Sequence, residues 1–202
     1  MVIELPDMRH NAMFAIDILL EGKNPATILE LGSGWSSYHL ASKGHKVYAV
    51  EHDPVWQNKF DNVNYICAPI VELPTNIPSY NKRFKKYNLW YDGNVIKEAI
   101  KDIKFDLYVI DGPPGYIGRS GLYIWRDLID WSVPSLWDNT DRRTEAGLCG
   151  YISTFANHRF MLKVHNEMGW SFTVMSPKKK HYLELISKIA DMPEKERDSV
   201  YR

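Results

Sequence analysis

Cysteine is nearly missing from this chain, with only Cys67 and Cys149 in 202 residues. Two thiols cannot make a disulfide framework or, alone, a zinc site, so the expected compartment is a reducing cytoplasm. A charge excess of either sign is also missing: 25 Lys and Arg balance 25 Asp and Glu. No global field therefore draws the chain to nucleic acid or to an anionic membrane. No apolar run approaches the length of a membrane span, and the opening MVIELPDMRH is acidic and broken by Pro6, unlike a secretory leader. Internal repeats and a Gly/Ser-rich linker are absent as well, so the expectation is one domain over residues 1–202 with one substantial core. What is plentiful is aromatic: seven Trp and twelve Tyr suit core packing, and equally a ring-shaped or sugar-like acceptor stacking on exposed rings.

The most informative stretch is TILELGSGWSSYHLASKGHKVYAVEHD, residues 27–53. An apolar run interrupted by Glu30 breaks into Gly32-Ser33-Gly34, continues in a segment able to wind into a helix, and is followed by a second β-rich run from Lys46 that ends in Glu51. Strand, tight turn, helix, strand implies two parallel strands. Gly32 and Gly34 let the chain turn sharply and bring backbone N–H groups close to a ligand across the strand ends. Glu51, about 20 positions past the glycines, is placed to accept from two ribose hydroxyls. Two features lean away from a dinucleotide. Ser37 stands where G-x-G-x-x-G has its third glycine, and Glu30 would repel a pyrophosphate while favouring an ammonium group.

ILELGSG followed by VYAVEHDP resembles motif I and the second-strand acidic motif of class I S-adenosylmethionine-dependent methyltransferases. The resemblance implies S-adenosyl-L-methionine as cofactor, with Glu30, Gly32, Ser33 and Gly34 facing its methionine part, Glu51 its ribose, and Ala68 with Pro69 beside its adenine. His52 is placed near the ribose or serves as a further candidate base.

Along the rest of the chain, Asn11–Glu21 reads as a helix stopped by Gly22, Pro54–Phe60 as a short helix, and Asn64–Ile70 as a third strand. Residues 71–90, with Pro74, Pro78 and the basic run Asn81–Tyr87, read as a solvated loop or as a basic insertion attracting an anionic acceptor. Asn94–Ile103 follows as a helix, then Phe105–Ile110 as a fourth strand neighbouring the first across the point where strand order reverses. Ligands bind at that crevice in open α/β sheets, which aims Asp111 at the cofactor's methyl group. Gly121–Trp131 reads as a helix, Val133–Trp137 as a fifth strand, Thr144–Met168 as largely helical, and Trp170–Met175 with His181–Ile186 as a closing antiparallel pair. The tail from Asp191 reads as a frayed surface helix. The expected architecture is a Rossmann-like three-layer α/β sandwich with a mostly parallel seven-stranded sheet and an antiparallel C-terminal strand.

Methyl transfer to oxygen needs a base or a metal to raise the nucleophilicity of the hydroxyl. Asp111 and Asp138, at the ends of adjacent strands, suit either task; with Asp141 or Asn139 they could hold a divalent metal ion through oxygen ligands. VIDGPPGYIGRSGLY and LWDNTDRRTE resemble the Asp-Gly-Pro-x-Gly, Gly-Arg-x-x-x-Tyr and Asp-x-x-Arg elements of the glucuronoxylan 4-O-methyltransferase family, with the Gly115–Arg119 spacing compressed. That likeness implies roles near the acceptor for Asp111, Gly112, Arg119, Tyr123, Asp138 and Arg142, Arg119 gripping an acceptor carboxylate as a bidentate fork. The Asn/Asp-Pro-Pro-aromatic pattern of methyltransferases acting on bases is not met, because Gly112 intervenes and Gly115 replaces the ring, so nucleic acid is not the expected partner. The reading is thus an O-methyltransferase of a small-molecule or carbohydrate hydroxyl. The alternatives are an NAD-dependent oxidoreductase or epimerase, which Ser37 and the lack of a convincing Tyr-x-x-x-Lys pair disfavour, and a non-catalytic cofactor-binding module.

Overall fold

The computed structural model describes residues 10–73, 88–157, 160–165 and 170–191. The basic run 81–87 and the tail beyond Asp191, both singled out above, lie outside the described residues. The chain order is α1 (His10–Leu20), β1 (Thr27–Leu31), α2 (Trp35–Ser42), β2 (Lys46–Glu51), β3 (Asn64–Cys67), β4 (Ile70–Glu72), β5 (Leu89–Tyr91), α3 (Gly93–Ile100), β6 (Leu107–Ile110), β7 (Ser135–Trp137), α4 (Arg143–Phe155), β8 (Phe160–His165), β9 (Ser171–Ser176) and α5 (Lys179–Ala190).

Seven strands form one sheet in the order β3-β2-β1-β6-β7-β9-β8. β1 is parallel to β2 and β6, and β6 to β7, while β9, the last strand in sequence, runs antiparallel between β7 and β8. The order reverses between β1 and β6, as the apolar run FDLYVI implied. Strand alternation divides the core into two layers. Ile28, Ala49, Val109 and Leu136 pack with α1, Leu40 of α2 and α5; Leu29, Val50, Ile110 and Trp137 pack with α3 and α4. Both layers are sealed by fully buried residues, and burying an aliphatic or aromatic side chain of this kind is worth about 1.5–3 kcal/mol each.

Several elements differ from the sequence reading. Residues 54–60 are turns, not a helix: the Asp53 carboxylate accepts from Val55 N–H, Asn58 is left-handed at φ 58°, and Val55 is 74% exposed, while Phe60 packs back against the core. The third strand stops at Cys67, and Ile70 instead opens a separate two-stranded antiparallel ribbon in which β4 pairs with β5. Residues 121–131 hold two short 3₁₀ turns, Ser120–Tyr123 and Arg126–Leu128, and Gly121 is pressed against Trp90, where a Cβ would lie 2.2 Å from the indole. The helix expected through Met168 ends at Phe155, after left-handed Asn157 (φ 53°) the chain continuing as β8. His181–Ile186 is helical within α5, not a strand. His181, Leu185 and Ile189 recur every four residues and are buried, a helical spacing that alternation obscured.

Candidate functional site

Alternation does more than divide the core. In β1, β2, β6 and β7 the position two beyond a residue of the first layer is acidic: Glu30 after Ile28, Glu51 after Ala49, Asp111 after Val109, Asp138 after Leu136. Register brings them together at the carboxyl end of the sheet. Leu31 pairs with Val50 and Ile110, and Ile110 with Trp137, so Glu51, Asp111 and Asp138 follow at one level.

The glycine turn sits at the middle of this row. Gly32 adopts φ 104°, and a Cβ on it would lie 3.0 Å from the Gly112 nitrogen, while one on Gly112 would lie 2.6 Å from Gly32 Cα. The tips of β1 and β6 therefore meet backbone to backbone, which only two glycines allow. Glu30 is fully buried beneath the turn and accepts from Ser36 Oγ and Ser37 Oγ, each at 2.5 Å. Ser37 Oγ in turn accepts from Gly34 N–H at 3.2 Å. Ser37 is thus no mere replacement for a glycine; it links a buried carboxylate to the backbone of the turn. Glu30 bears on the crevice through its charge and the shape of the turn, rather than as the open carboxylate its position in sequence suggests.

At the end of β2, Glu51 Oε1 accepts from His52 N–H (2.6 Å) and Asp53 N–H (2.8 Å). His52 Nδ1 lies 2.9 Å from the same oxygen but off hydrogen-bond geometry. Ala68 is buried alongside, its N–H bonded to the Glu51 carbonyl.

Across from Glu51, Asp111 and Asp138 follow the paired ends of β6 and β7, and their carboxyls stand as close neighbours. The Asp111 side chain keeps 26% exposure. Burial, and then the neighbouring Asp138 charge, hold its carboxyl well above the usual carboxylate range, against the opposing pull of Arg119. Arg119 is 3% exposed and donates to the carbonyls of Ile110 (2.9 Å), Asp138 (2.5 Å) and Asp111, and to Asp111 Oδ1 (3.0 Å) and Asn139 Oδ1 (3.1 Å). Its guanidinium joins the ends of β6 and β7 instead of turning outward to grip a carboxylate. Asn139 meets it from a left-handed backbone at φ 57°, a conformation asparagine tolerates well.

Two further residues were expected near an acceptor. Arg142 lies against Gly115, where a Cβ would come within 2.7 Å of Nη1, and is 3.9 Å from Glu145 Oε1 with its side chain 38% exposed. Tyr123 meets Tyr151 at 4.4 Å between centroids, the rings tilted by 37°. Among the described residues no group of three or more His, Cys, Asp or Glu is arranged to hold a metal ion, and no helix is long and apolar enough to cross a membrane.

Sequence reasoning missed Tyr91. The residue is fully buried, its ring meets His52 edge-on at 5.9 Å, and its hydroxyl has no hydrogen-bond partner. The Leu89-Trp90-Tyr91 run ahead of Asp92-Gly93 is a strand-like signal that the preceding prolines and lysines overshadowed.

The residues fit a nucleoside cofactor such as S-adenosylmethionine. Two buried polar atoms without a hydrogen-bond partner lie at the glycine turn: Ser33 Oγ within it, and Tyr91 Oη against Gly112 beside it. Buried polar groups are normally paired, so unpaired ones beside the strand ends suit a polar ligand.

A scan against protein-family models finds no match, and a search of curated proteins finds none. Solved structures do match. The chain superposes on human methyltransferase-like protein 13, in complex with S-adenosylhomocysteine, with a TM-score of 0.51 and 15% identity over 90% of each chain. Against Aeropyrum pernix fibrillarin with bound S-adenosylmethionine the TM-score is 0.50 at 14% identity, over 81% of this chain and 74% of that one. A methyltransferase of Agrobacterium tumefaciens matches at TM-score 0.50 and 13% identity, over 85% and 64%. The mycinamycin-pathway methyltransferase MycE matches at TM-score 0.45 and 9% identity over 86% of this chain, which spans 50% of that one. The shared feature is the fold, the Rossmann-like α/β sandwich on which S-adenosylmethionine-dependent methyltransferases are built.

Proposed function

We propose that this chain is an S-adenosylmethionine-dependent methyltransferase acting on a hydroxyl of a small-molecule or carbohydrate acceptor. The observation that carries the reading is that the Asp111 and Asp138 carboxyls stand side by side at the carboxyl end of the sheet, level with Glu51. The likeness to methyltransferase structures supports the cofactor, and the Asp-Gly-Pro and Gly-Arg-x-x-x-Tyr elements support oxygen as acceptor.

Bound in the crevice, the cofactor supplies an electrophilic methyl group on a sulfonium. The chain's own residues do the rest. Glu51 holds the ribose hydroxyls, and the backbone of Gly32–Gly34 closes on the amino acid end, with the Glu30 charge beneath favouring its ammonium group. Asp111, its affinity for a proton raised by burial and by Asp138, takes the proton of the acceptor hydroxyl. A carboxyl with raised proton affinity is a better base for a hydroxyl than an ordinary one. Arg119 acts through these groups as a positioning residue, holding the ends of β6 and β7 so that the two carboxyls stay paired. Tyr123 and Arg142 line the acceptor side.

The test is methyl transfer from isotopically labelled S-adenosylmethionine to a panel of sugars, uronates, phenols and nucleosides. Labelling of a hydroxyl by the wild-type protein, lost in Asp111→Asn, supports the reading. Labelling confined to amines or bases, or no labelling despite cofactor binding, contradicts it.

A further inference from the structure

We propose that the Tyr91 hydroxyl, which lies against Gly112 where the tips of β1 and β6 meet, is a binding group for the ribose of the bound nucleoside. This rests on the cofactor reading above and adds a residue to it. Tyr91 stands on β5, outside the main sheet, and reaches the crevice from the α3 side. A Cβ on Gly112 would lie 2.4 Å from its hydroxyl oxygen and 2.6 Å from Gly32 Cα, so the phenol sits directly under the place where the two strand tips touch. That place is where strand order reverses, the position of the ligand crevice in open α/β sheets.

The hydroxyl has no hydrogen-bond partner within the chain although it is completely buried. An unpaired buried hydroxyl is costly, and one beside the ligand-binding end of a sheet is suited to a partner on the ligand. Its charged surroundings are Glu51, Arg119, Asp111 and Glu30, Glu51 exerting the strongest influence of the four. Burial, with these carboxylates, raises its proton affinity well above that of an ordinary tyrosine, so it is a neutral donor. The ring borders His52, the residue after Glu51. A donor beside the carboxylate that accepts from the ribose hydroxyls completes a donor and acceptor set for one sugar.

The experiment compares wild type with Tyr91→Phe by calorimetric titration of S-adenosylhomocysteine and of 5′-methylthioadenosine, which keeps the ribose and base but lacks the amino acid tail, alongside melting of the free proteins. The expected result is that Tyr91→Phe binds both ligands about tenfold more weakly, the loss of one hydrogen bond to ligand, and melts at or above the wild-type temperature because an unpaired buried hydroxyl is gone. Unchanged affinity overturns the proposal. So does weakening for S-adenosylhomocysteine alone, which would place the hydroxyl at the amino acid tail, or a lower melting temperature for the free variant, which would give it a structural partner. If wild type takes up neither ligand, the cofactor reading itself falls; if wild type binds both and only the variant comparison fails, that reading stands without Tyr91.

Discussion

Asp111 and Asp138 end neighbouring parallel strands and meet carboxyl to carboxyl, with Arg119 joining both of their backbone carbonyls. Two carboxyls this close share a proton more readily than they both ionise, and burial strengthens the effect on Asp111.

Asp111→Asn is therefore expected to abolish turnover while leaving the protein at least as stable at neutral pH. A raised native pKa means that Asp111 contributes stability below its ordinary value of 3.8 and loses it as pH rises through the raised value. The neutral amide removes that loss, and its oxygen still accepts from Arg119. A gain of about 1 kcal/mol would raise the melting temperature by roughly 2–4 °C for a chain of this size, while loss of a positioned base lowers kcat by about 10²–10⁴-fold. Thermal melts and labelled-methyl assays check the two halves. For the wild type, activity should rise with pH through the elevated Asp111 pKa.

Acid sensitivity should come from a separate cluster that joins the end of α1 to the start of α5. Glu21 accepts from Lys178 and Lys180 at 2.7 and 2.6 Å, and from buried His181 Nε2 at 2.5 Å, while His181 Nδ1 meets Ser176 Oγ at 2.7 Å. The hydrogen bonds from Lys178 and Lys180 are the main reason that the Glu21 carboxyl titrates at about 2 instead of 4.5. Its stabilising effect is full above pH 4.5 and disappears as pH falls toward 2. Burial lowers the His181 pKa below 6.5, against the pull of Glu21, so its protonation weakens the fold in the same direction. Glu21→Gln is expected to flatten the decline of stability between pH 4.5 and 2 in chemical denaturation series; an unchanged slope would show that the cluster is not what titrates.

The glycines of the turn should separate by role. Gly112→Ala places a Cβ 2.4 Å from Tyr91 Oη and 2.6 Å from Gly32 Cα, whereas Gly34→Ala meets its nearest atom, Ser36 Oγ, at 3.9 Å. Overpacking of this kind typically costs about 1–3 kcal/mol, so Gly112→Ala should melt several degrees lower and Gly34→Ala close to wild type. Equal melting temperatures would contradict the backbone contact at the strand tips.

How far the sequence could be read depended on what kind of residue carried the signal. The placement of Glu30, Glu51, Asp111 and Asp138 was legible because Glu30 interrupts an apolar run and the other three each end one, and a strand's period of two puts all four on one face. Gly32 and Gly34 were legible for the same reason, as punctuation after β1. The roles of Glu30 and Arg119 were not: long-range packing turned one beneath the glycine turn and the other into the β6–β7 junction. Tyr91 and the β4–β5 ribbon were hidden by a composition that reads as loop, since pairing between residues 70–72 and 89–91 leaves no local pattern. His181–Ile186 misled because a short apolar run with alternation fits a strand as well as a helix.

The most direct measurement is calorimetric titration of the wild-type protein and Glu51→Gln with S-adenosylhomocysteine and, separately, with NADH. The expected outcome is one S-adenosylhomocysteine per chain, about tenfold weaker binding in the variant as a charged ribose contact is lost, and no heat with NADH. Uptake of NADH with indifference to S-adenosylhomocysteine would contradict the account at its root.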